Sequence, residues 1–375
     1  MSNLHGRLIG VQNANGRRRC VHLWIDFGFL QPSSYGFVHE FYRRPLRWFD
    51  RWSRDASTGK IGIVSRALVT GGYHPEICLP FEQPWELYHN SFSLCSKKLR
   101  VCLAELDLPY GSHPIDLIET GRYQNVSPEF LAINPGGTVP VLVHDGHPIY
   151  ESHDQILYAA QHAGAAGKRL LPEDSGQREL VEQWVDKASL VGDPMRGRAE
   201  RAGHCVPGLT FPLFATTVSR IPIPEILGGL LRHPNKERPI AFLLLRILGI
   251  ENFWRVPLFR AAVRESREAM ETHLDSLGAQ LKSHGGPWIA GDDYTLADVS
   301  WVVILDRLVE ADWDTLFWAA GRRPLVAEYW ERLCARSSYA AAIEDVRDSD
   351  IREGIVALRE AKSGNPALRE ILEGA

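Results

Sequence analysis

The residues best able to do chemistry lie in one short stretch, Glu86 to Arg100, which reads ELYHNSFSLCSKKLR. A hydroxyl at Ser93 and a thiol at Cys95 stand at the junction between an apolar run, Trp85 to Tyr88, and a segment in which Leu99, Cys102, Leu103 and Leu106 recur at helical spacing. The pattern predicts a strand, a small-residue loop through Ser91, Ser93 and Cys95, and then a helix with one buried face. The first N–H groups of a helix have no intrahelical partner and carry partial positive charge, so they favour an anion. A thiolate is the species such a place would bind and activate. Ser93 and Cys95 are therefore the candidate chemical residues. The alternatives are a simple helix cap at Ser93 and an inert packing thiol at Cys95. Cys102, on the buried stripe, reads as core.

The elements that must position this stretch follow in order. A second strand is expected over Tyr110 to Leu117 and a short helical turn around Pro128 to Ala132. Val141 to His144 and Pro148 to Tyr150 read as strands joined at Asp145-Gly146, a strong hairpin dipeptide. Ser152 and Gln155 fit a capping box opening a helix that Ile156, Ala159 and Ala160 continue. His144, His147 and His153 crowd this hairpin and read as solvated. Gly164 to Pro172 reads as an interdomain linker. Beyond it the period is helical: Gln177 to Leu190, broken short helices between Gly192 and Pro257, Val263 to His284, and Phe317 to Ser337. Thr295 and Asp298 form a second capping box before the apolar run Val299 to Leu305, which makes Asp298 structural. Arg100 reads as an ion-pair or domain-interface residue. Met195, Arg196 and Arg198 are weak candidates for a substrate pocket.

Composition narrows the class. The 375 residues, 45% hydrophobic, suffice for two ordinary domains with cores. The formal charge of -4 is unevenly spread, with residues 1–70 carrying 11 Lys and Arg against 4 Asp and Glu. The remaining chain is acidic, which argues against nucleic-acid binding. Six scattered cysteines show no C-x-x-C pair and no metal-ligand spacing, which suits reduced thiols in a cytoplasm and predicts no metal site. The longest apolar candidate, Pro239 to Ile250, is too short to cross a membrane and is interrupted by Arg246. Residues 1–83, with Arg17 to Arg19 and the aromatic-basic run Phe41 to Trp52, are read as a poorly ordered extension, or as translated sequence ahead of a later start near Val64 or Val69. A membrane-surface segment or a transit peptide is the sharper, less favoured reading.

From Ser93, Cys95, Lys98 and Arg100, from Asn134-Pro-Gly-Gly-Thr-Val-Pro-Val-Leu142, and from Glu151-Ser152, the chain resembles the cytosolic glutathione S-transferases. Trp288-Ile-Ala-Gly followed by Thr295-x-x-Asp298 extends the likeness, which covers residues 84 to 345. The resemblance implies an α+β fold class: a thioredoxin-like N-terminal domain over 84–164 (β-α-β, then β-β-α), an all-helical domain over 172–345, and a charged helical tail over 346–375. It implies that Ser93 donates a hydrogen bond to the sulfur of glutathione, the co-substrate. It implies that Val139 pairs through its backbone with the cysteinyl part beside a cis-Pro140, and that Glu151 and Ser152 hold the γ-glutamyl end. Thr138 stands where many relatives carry Lys or Gln. The Ser93-Leu-Cys-Ser96 pattern also resembles tetrachlorohydroquinone dehalogenase, in which the matching cysteine reacts. The implied function is a glutathione S-transferase acting on a hydrophobic electrophile in detoxification, as a cytoplasmic homodimer. The alternatives are a glutathione-dependent dehalogenase, thiol transferase or isomerase using Cys95, and a non-catalytic scaffold.

Overall fold

The computed structural model describes residues 70–374, apart from 193–196 and 234–235, together with the backbone of four short strands before them. Those strands pair as two antiparallel hairpins, β1 (Ile9–Gln12) with β2 (Arg18–Val21) and β3 (Trp52–Arg54) with β4 (Ile61–Ile63). Most of the expected extension, with Arg17 and most of the run from Phe41, lies outside the described residues, as do Met195 and Arg196.

The first domain is a five-stranded sheet in the order β5-β9-β8-β6-β7. Its strands are β5 (Gly72–Tyr73), β6 (Trp85–His89), β7 (Gly111–Pro114), β8 (Val141–His144) and β9 (His147–Tyr150). β7 runs parallel to β6, and the other neighbours are antiparallel. Alternation along the strands sorts side chains to two faces. Leu87, Leu142 and Ile149 pack into the large core under α1 (Leu94–Glu105) and α3 (Ser152–His162). Val141, Val143 and Tyr150 pack with Phe130 of α2 (Pro128–Ile133) and with Leu79.

The second domain is helical. Its elements are α4 (Gly164–Leu170), α5 (Ser175–Lys187), α6 (Val206–Thr217), α7 (Ile223–Arg232), α8 (Glu237–Asn252), α9 (Pro257–His284), α10 (Leu296–Glu310), α11 (Asp314–Phe317), α12 (Pro324–Cys334), α13 (Ser337–Tyr339), α14 (Ser349–Gly364) and α15 (Pro366–Glu373). The architecture is thus a thioredoxin-like domain followed by an all-helical one. α10 is buried almost all round, as a helix at the centre of a bundle must be. Its start is held by Asp298, which accepts from the N–H groups of Thr295 at 2.8 Å and Ile289 at 3.0 Å and from the Tyr329 hydroxyl at 2.8 Å. The tail is not detached: Ile351, Leu358 and Leu368 are buried, and the Thr216 hydroxyl donates to the Gly354 carbonyl at 2.8 Å.

Four expectations are corrected. The sheet takes in residues assigned to the extension, because Gly72 and Tyr73 pair with Tyr150 and Ile149. The supposed linker is helix α4, and its glycine serves packing: a Cβ at Gly167 would lie 1.7 Å from the Ala160 carbonyl oxygen of α3. Gln155 does not cap α3. Its buried amide Nε2 donates to the carbonyls of Pro140 at 2.9 Å and Ile149 at 2.8 Å, because a buried amide N–H needs an acceptor and these carbonyls are within its reach. His144 and His147 are not solvated, since residues 77–79 fold over the hairpin. The Leu79 N–H donates to the Gly146 carbonyl at 2.7 Å, the His147 ring Nδ1 bonds the Ile77 carbonyl at 2.7 Å, and His144 stacks on Trp85 at 3.8 Å.

Candidate active site

Register alone brings the three sequence motifs to one end of the sheet. Tyr88 of β6 faces Val141 of β8, so the loop leaving β6 lies beside Val139-Pro140. Leu142 faces Ile149, so the exit of β9 into Glu151-Ser152 lies there too. Gln155 ties the first turn of α3 to Pro140, whose peptide bond with Val139 is cis.

Asn90 shapes the loop. Its Oδ1 accepts from the N–H groups of Phe92 at 2.9 Å and Ser93 at 3.1 Å, while its Nδ2 donates to the Ile115 carbonyl and to the Thr120 hydroxyl oxygen, both at 2.9 Å. An amide side chain that organises its own turn in this way pre-sets the backbone before the helix begins. Ser93 is then the N-cap of α1, its Oγ accepting from the Ser96 N–H at 3.3 Å. A hydroxyl has one hydrogen and two lone pairs. Capping uses a lone pair, and among the described residues the Ser93 hydrogen has no acceptor. The cap and the donor roles are therefore compatible in one side chain. Cys95 is the second residue of α1 and half-buried. Cys102 is fully buried, and burial pushes its thiol well above the ordinary range.

Other polar groups at this end are also unspent. The backbone of Val139 makes no hydrogen bond among the described residues, and the same holds for the Ser152 hydroxyl at the first position of α3. Glu151 is exposed and takes φ 64, ψ 121, a positive-φ conformation that a non-glycine residue adopts at a cost of about 1–3 kcal/mol and that concentrates at ligand-holding turns. Thr138 is fixed by Asn134, whose Nδ2 donates to its carbonyl at 2.8 Å and to its hydroxyl oxygen at 3.1 Å.

The helical domain closes the site from below. Arg307 of α10 donates to the Phe92 carbonyl, one residue before Ser93, and its guanidinium lies 3.7 Å from the centre of the Phe92 ring. Lys97 reaches Asp306 at 2.6 Å and Glu310 at 2.7 Å. Arg100 donates to the carbonyls of Asn90 at 2.8 Å, Ser91 at 3.1 Å and Ala342 at 2.8 Å, which makes it the interface residue expected of it. Beneath it, burial pushes the His89 imidazole down to about 4, with the Arg100 charge adding to the effect. His89 is thus neutral, with Nδ1 accepting from Arg100 at 3.2 Å and Nε2 donating to the Ser112 hydroxyl at 2.8 Å.

Two profiles of the glutathione S-transferase family match the chain, the N-terminal domain over residues 92–162 and the C-terminal domain over 260–332. The chain belongs to the glutathione S-transferase superfamily. Within it, the tetrachloro-p-hydroquinone reductive dehalogenase of Sphingobium chlorophenolicum is 25% identical over 262 residues, 68% of this chain and 94% of that one. A 2,5-dichlorohydroquinone reductive dechlorinase of Sphingobium indicum is 28% identical over 303 residues, 70% of this chain and 83% of that one. Among solved structures, the β-etherase LigF of Sphingobium sp. strain SYK-6 covers 70% of this chain and 100% of its own, with a TM-score of 0.57 at 19% identity, a likeness of fold.

Two residues around the candidate site carry no signal in the sequence. Nothing in an apolar helical run marks Arg307 as reaching a loop 215 positions earlier. Lys98 stands in the sequence only as one member of the S-x-C-x-x-K-x-R pattern. The structure places it fully inside, 1% exposed, with no hydrogen bond or ion pair among the described residues. No group of three or more His, Cys, Asp and Glu suited to a metal occurs among the described residues, and no helix there is long and apolar enough to cross a membrane.

Proposed function

We propose that the chain is a glutathione-dependent transferase in which Ser93 polarises the sulfur of bound glutathione for attack on a hydrophobic electrophile. The observation that carries this reading is the Ser93 hydroxyl, whose oxygen caps α1 while its hydrogen is left to donate. A thiol with an ordinary pKa of about 8.5 is mostly protonated at neutral pH, and each unit by which the site lowers that value is worth ~1.4 kcal/mol. A donated hydrogen bond and the unpaired N–H groups at the start of a twelve-residue helix both favour the thiolate. The free backbone of Val139 suits an antiparallel pairing with the cysteinyl residue, beside Pro140. The start of α3 at Ser152, with Glu151 next to it, suits the α-carboxylate and α-amine of the γ-glutamyl group. Holding sulfur and electrophile together supplies much of the remaining rate.

A second reading has one specific observation in its favour. Cys95 stands half-buried one helical turn from Lys98, and two of the relatives are hydroquinone dehalogenases. On that reading glutathione first displaces halide from carbon. The Cys95 thiolate then attacks the sulfur of the conjugate, forming a Cys95–glutathione disulfide while the carbon takes a proton, and a second glutathione thiolate releases glutathione disulfide and restores Cys95. The reading further comprises a cytoplasmic homodimer acting in detoxification, with residues 84–164 binding glutathione and 172–345 shaping the electrophile pocket.

Ser93→Ala and Cys95→Ala, each assayed with glutathione against an aryl halide and a chlorinated hydroquinone, test the two mechanisms. The transferase reading expects Ser93→Ala to lose on the order of 100-fold in turnover, the scale of one lost donor to a developing anion, and Cys95→Ala to retain it. Loss in Cys95→Ala alone reverses the assignment. Failure to bind immobilised glutathione, together with no turnover of either substrate, leaves a scaffold.

A further inference from the structure

Lys98 is the buried charge that the reaction schemes above do not use. It lies on α1 one turn beyond Cys95, 1% exposed, with no hydrogen bond or ion pair among the described residues. An ammonium removed from water without a partner is costly, and folded proteins keep one only where something else is gained. The elements packed on α1 show why it has no partner. From α10, Asp306 and Glu310 face Lys97 and are shared with Arg307 and Arg347. From the segment after α12, Arg336 and Ser338 are engaged with Glu105, and Ala342 offers only its carbonyl, which Arg100 takes. From α3 come Glu151 and His153, the latter paired with Asp154 at 3.4 Å. Burial pushes the Lys98 ammonium down, and the two groups that push it back up are Cys95 and Glu151, both at the candidate site. Glu151 is exposed to water, which leaves the half-buried sulfur as the group able to return what burial costs.

We propose that Lys98 is a positioning residue for sulfur chemistry: its unpaired ammonium is the counter-charge of Cys95 in its thiolate form. The step is a proton transfer only. The Cys95 thiol gives its proton to solvent, the sulfur keeps the electron pair, and a buried unpaired cation becomes half of an ion pair at the start of α1, where helix and lysine act in the same direction. Lys98 thereby favours the nucleophilic form of Cys95. The inference deepens the second reading above, and it concerns Cys95 before any glutathione is present.

The test is alkylation of the full chain by the neutral reagent iodoacetamide across neutral to alkaline pH, without glutathione. Modification is followed at the Cys95 peptide by mass spectrometry, because Cys78 and Cys334 are also partly accessible. In Lys98→Met the Cys95 rate at neutral pH falls by about tenfold, as loss of one close counter-charge predicts. The gap closes at alkaline pH, where the thiol ionises unaided, and Lys98→Arg restores most of the rate. Thermal melting of Lys98→Met stays at or above that of the parent, since an uncompensated charge has been removed. Equal alkylation rates at all pH values overturn the proposal, as does a gap that persists at alkaline pH, which would mean altered access. Since glutathione is absent, loss of the transferase or dehalogenase reading in turnover assays leaves this result standing, and the reverse holds as well.

Discussion

Lys97 and Lys98 are consecutive on α1 and equally buried, yet their surroundings are opposite. Lys97 turns towards the helical domain and finds two carboxylates within 2.7 Å, Asp306 and Glu310. Lys98 makes no hydrogen bond or ion pair among the described residues, and the groups whose charge favours its ammonium are Cys95 and Glu151. The same helix thus carries a closed face and an open face. On the closed face each buried charge is answered by the other domain, and Arg100 and Arg307 add bonds to the carbonyls of Asn90, Ser91 and Phe92, which fix the loop before Ser93. On the open face the Ser93 hydrogen, the Val139 backbone, the Ser152 hydroxyl and the Lys98 ammonium are unanswered among the described residues. Fully paired buried charge is what a domain interface needs, and unpaired polar groups gathered at one place are where local consistency yields to function.

The sharpest way to break the comparison is to unbalance the closed face. Lys97, Arg307 and Arg347 share Asp306 and Glu310, so three cations meet two carboxylates. Burial alone would push Glu310 up, but the three cations hold it well below the usual carboxylate range, while Lys97, sharing its carboxylates with Arg347, is still pushed down by its burial. Glu310→Gln leaves three cations on one carboxylate and should cost about 4–5 kcal/mol in chemical denaturation, whereas Lys97→Met leaves a balanced set and should cost about 3. Either variant, measured where it is folded, should alkylate Cys95 at the parent rate. Lys98→Met should do the reverse, keeping stability and losing rate. If the two lysines behave alike, the two-face account fails.

A smaller effect tests the layer under Arg100. His89 falls from its ordinary value of 6.5 to about 4 in the fold, so the unfolded chain binds a proton between those values that the folded chain refuses. The stability held by neutral His89 is complete above about pH 6.5 and is lost as pH falls towards 4, by about 2–3 kcal/mol. His89→Gln, which keeps a donor for Ser112, should flatten that acid limb in a pH series of unfolding midpoints. A limb of unchanged slope would place the titration elsewhere.

How much of this was legible in the sequence follows from range. The strand at Trp85, the helix through Leu99 and Cys102, the hairpin at Asp145-Gly146 and the Thr295–Asp298 cap are set by neighbours a few residues away, and they stand where the pattern put them. Gly164 to Pro172 misled because glycine signals a loop, whereas Gly167 is there to let α4 approach Ala160. Gln155 misled because a capping pattern and a buried amide bridging Pro140 and Ile149 look alike in one dimension. Ser93 and Cys95 could be picked out by type and position. The unpaired state of Lys98 could not, since it depends on Asp306 and Glu310 lying some two hundred positions away and choosing its neighbour.

The smallest expected effect separates the two duties of Ser93. As an N-cap its oxygen accepts from Ser96, and replacing such a residue with alanine costs about 1 kcal/mol, with glycine only a few tenths. As a donor its hydrogen is lost equally in both. Ser93→Ala should therefore melt measurably below Ser93→Gly, while the two turn over glutathione and an aryl halide at the same reduced rate. Ser93→Thr, which keeps both a cap oxygen and a hydroxyl hydrogen, should stay near the parent in stability. If turnover instead tracks stability, with glycine intermediate between alanine and serine, then Ser93 only caps α1. The chemistry of the open face would then belong to Cys95 and the charge beside it.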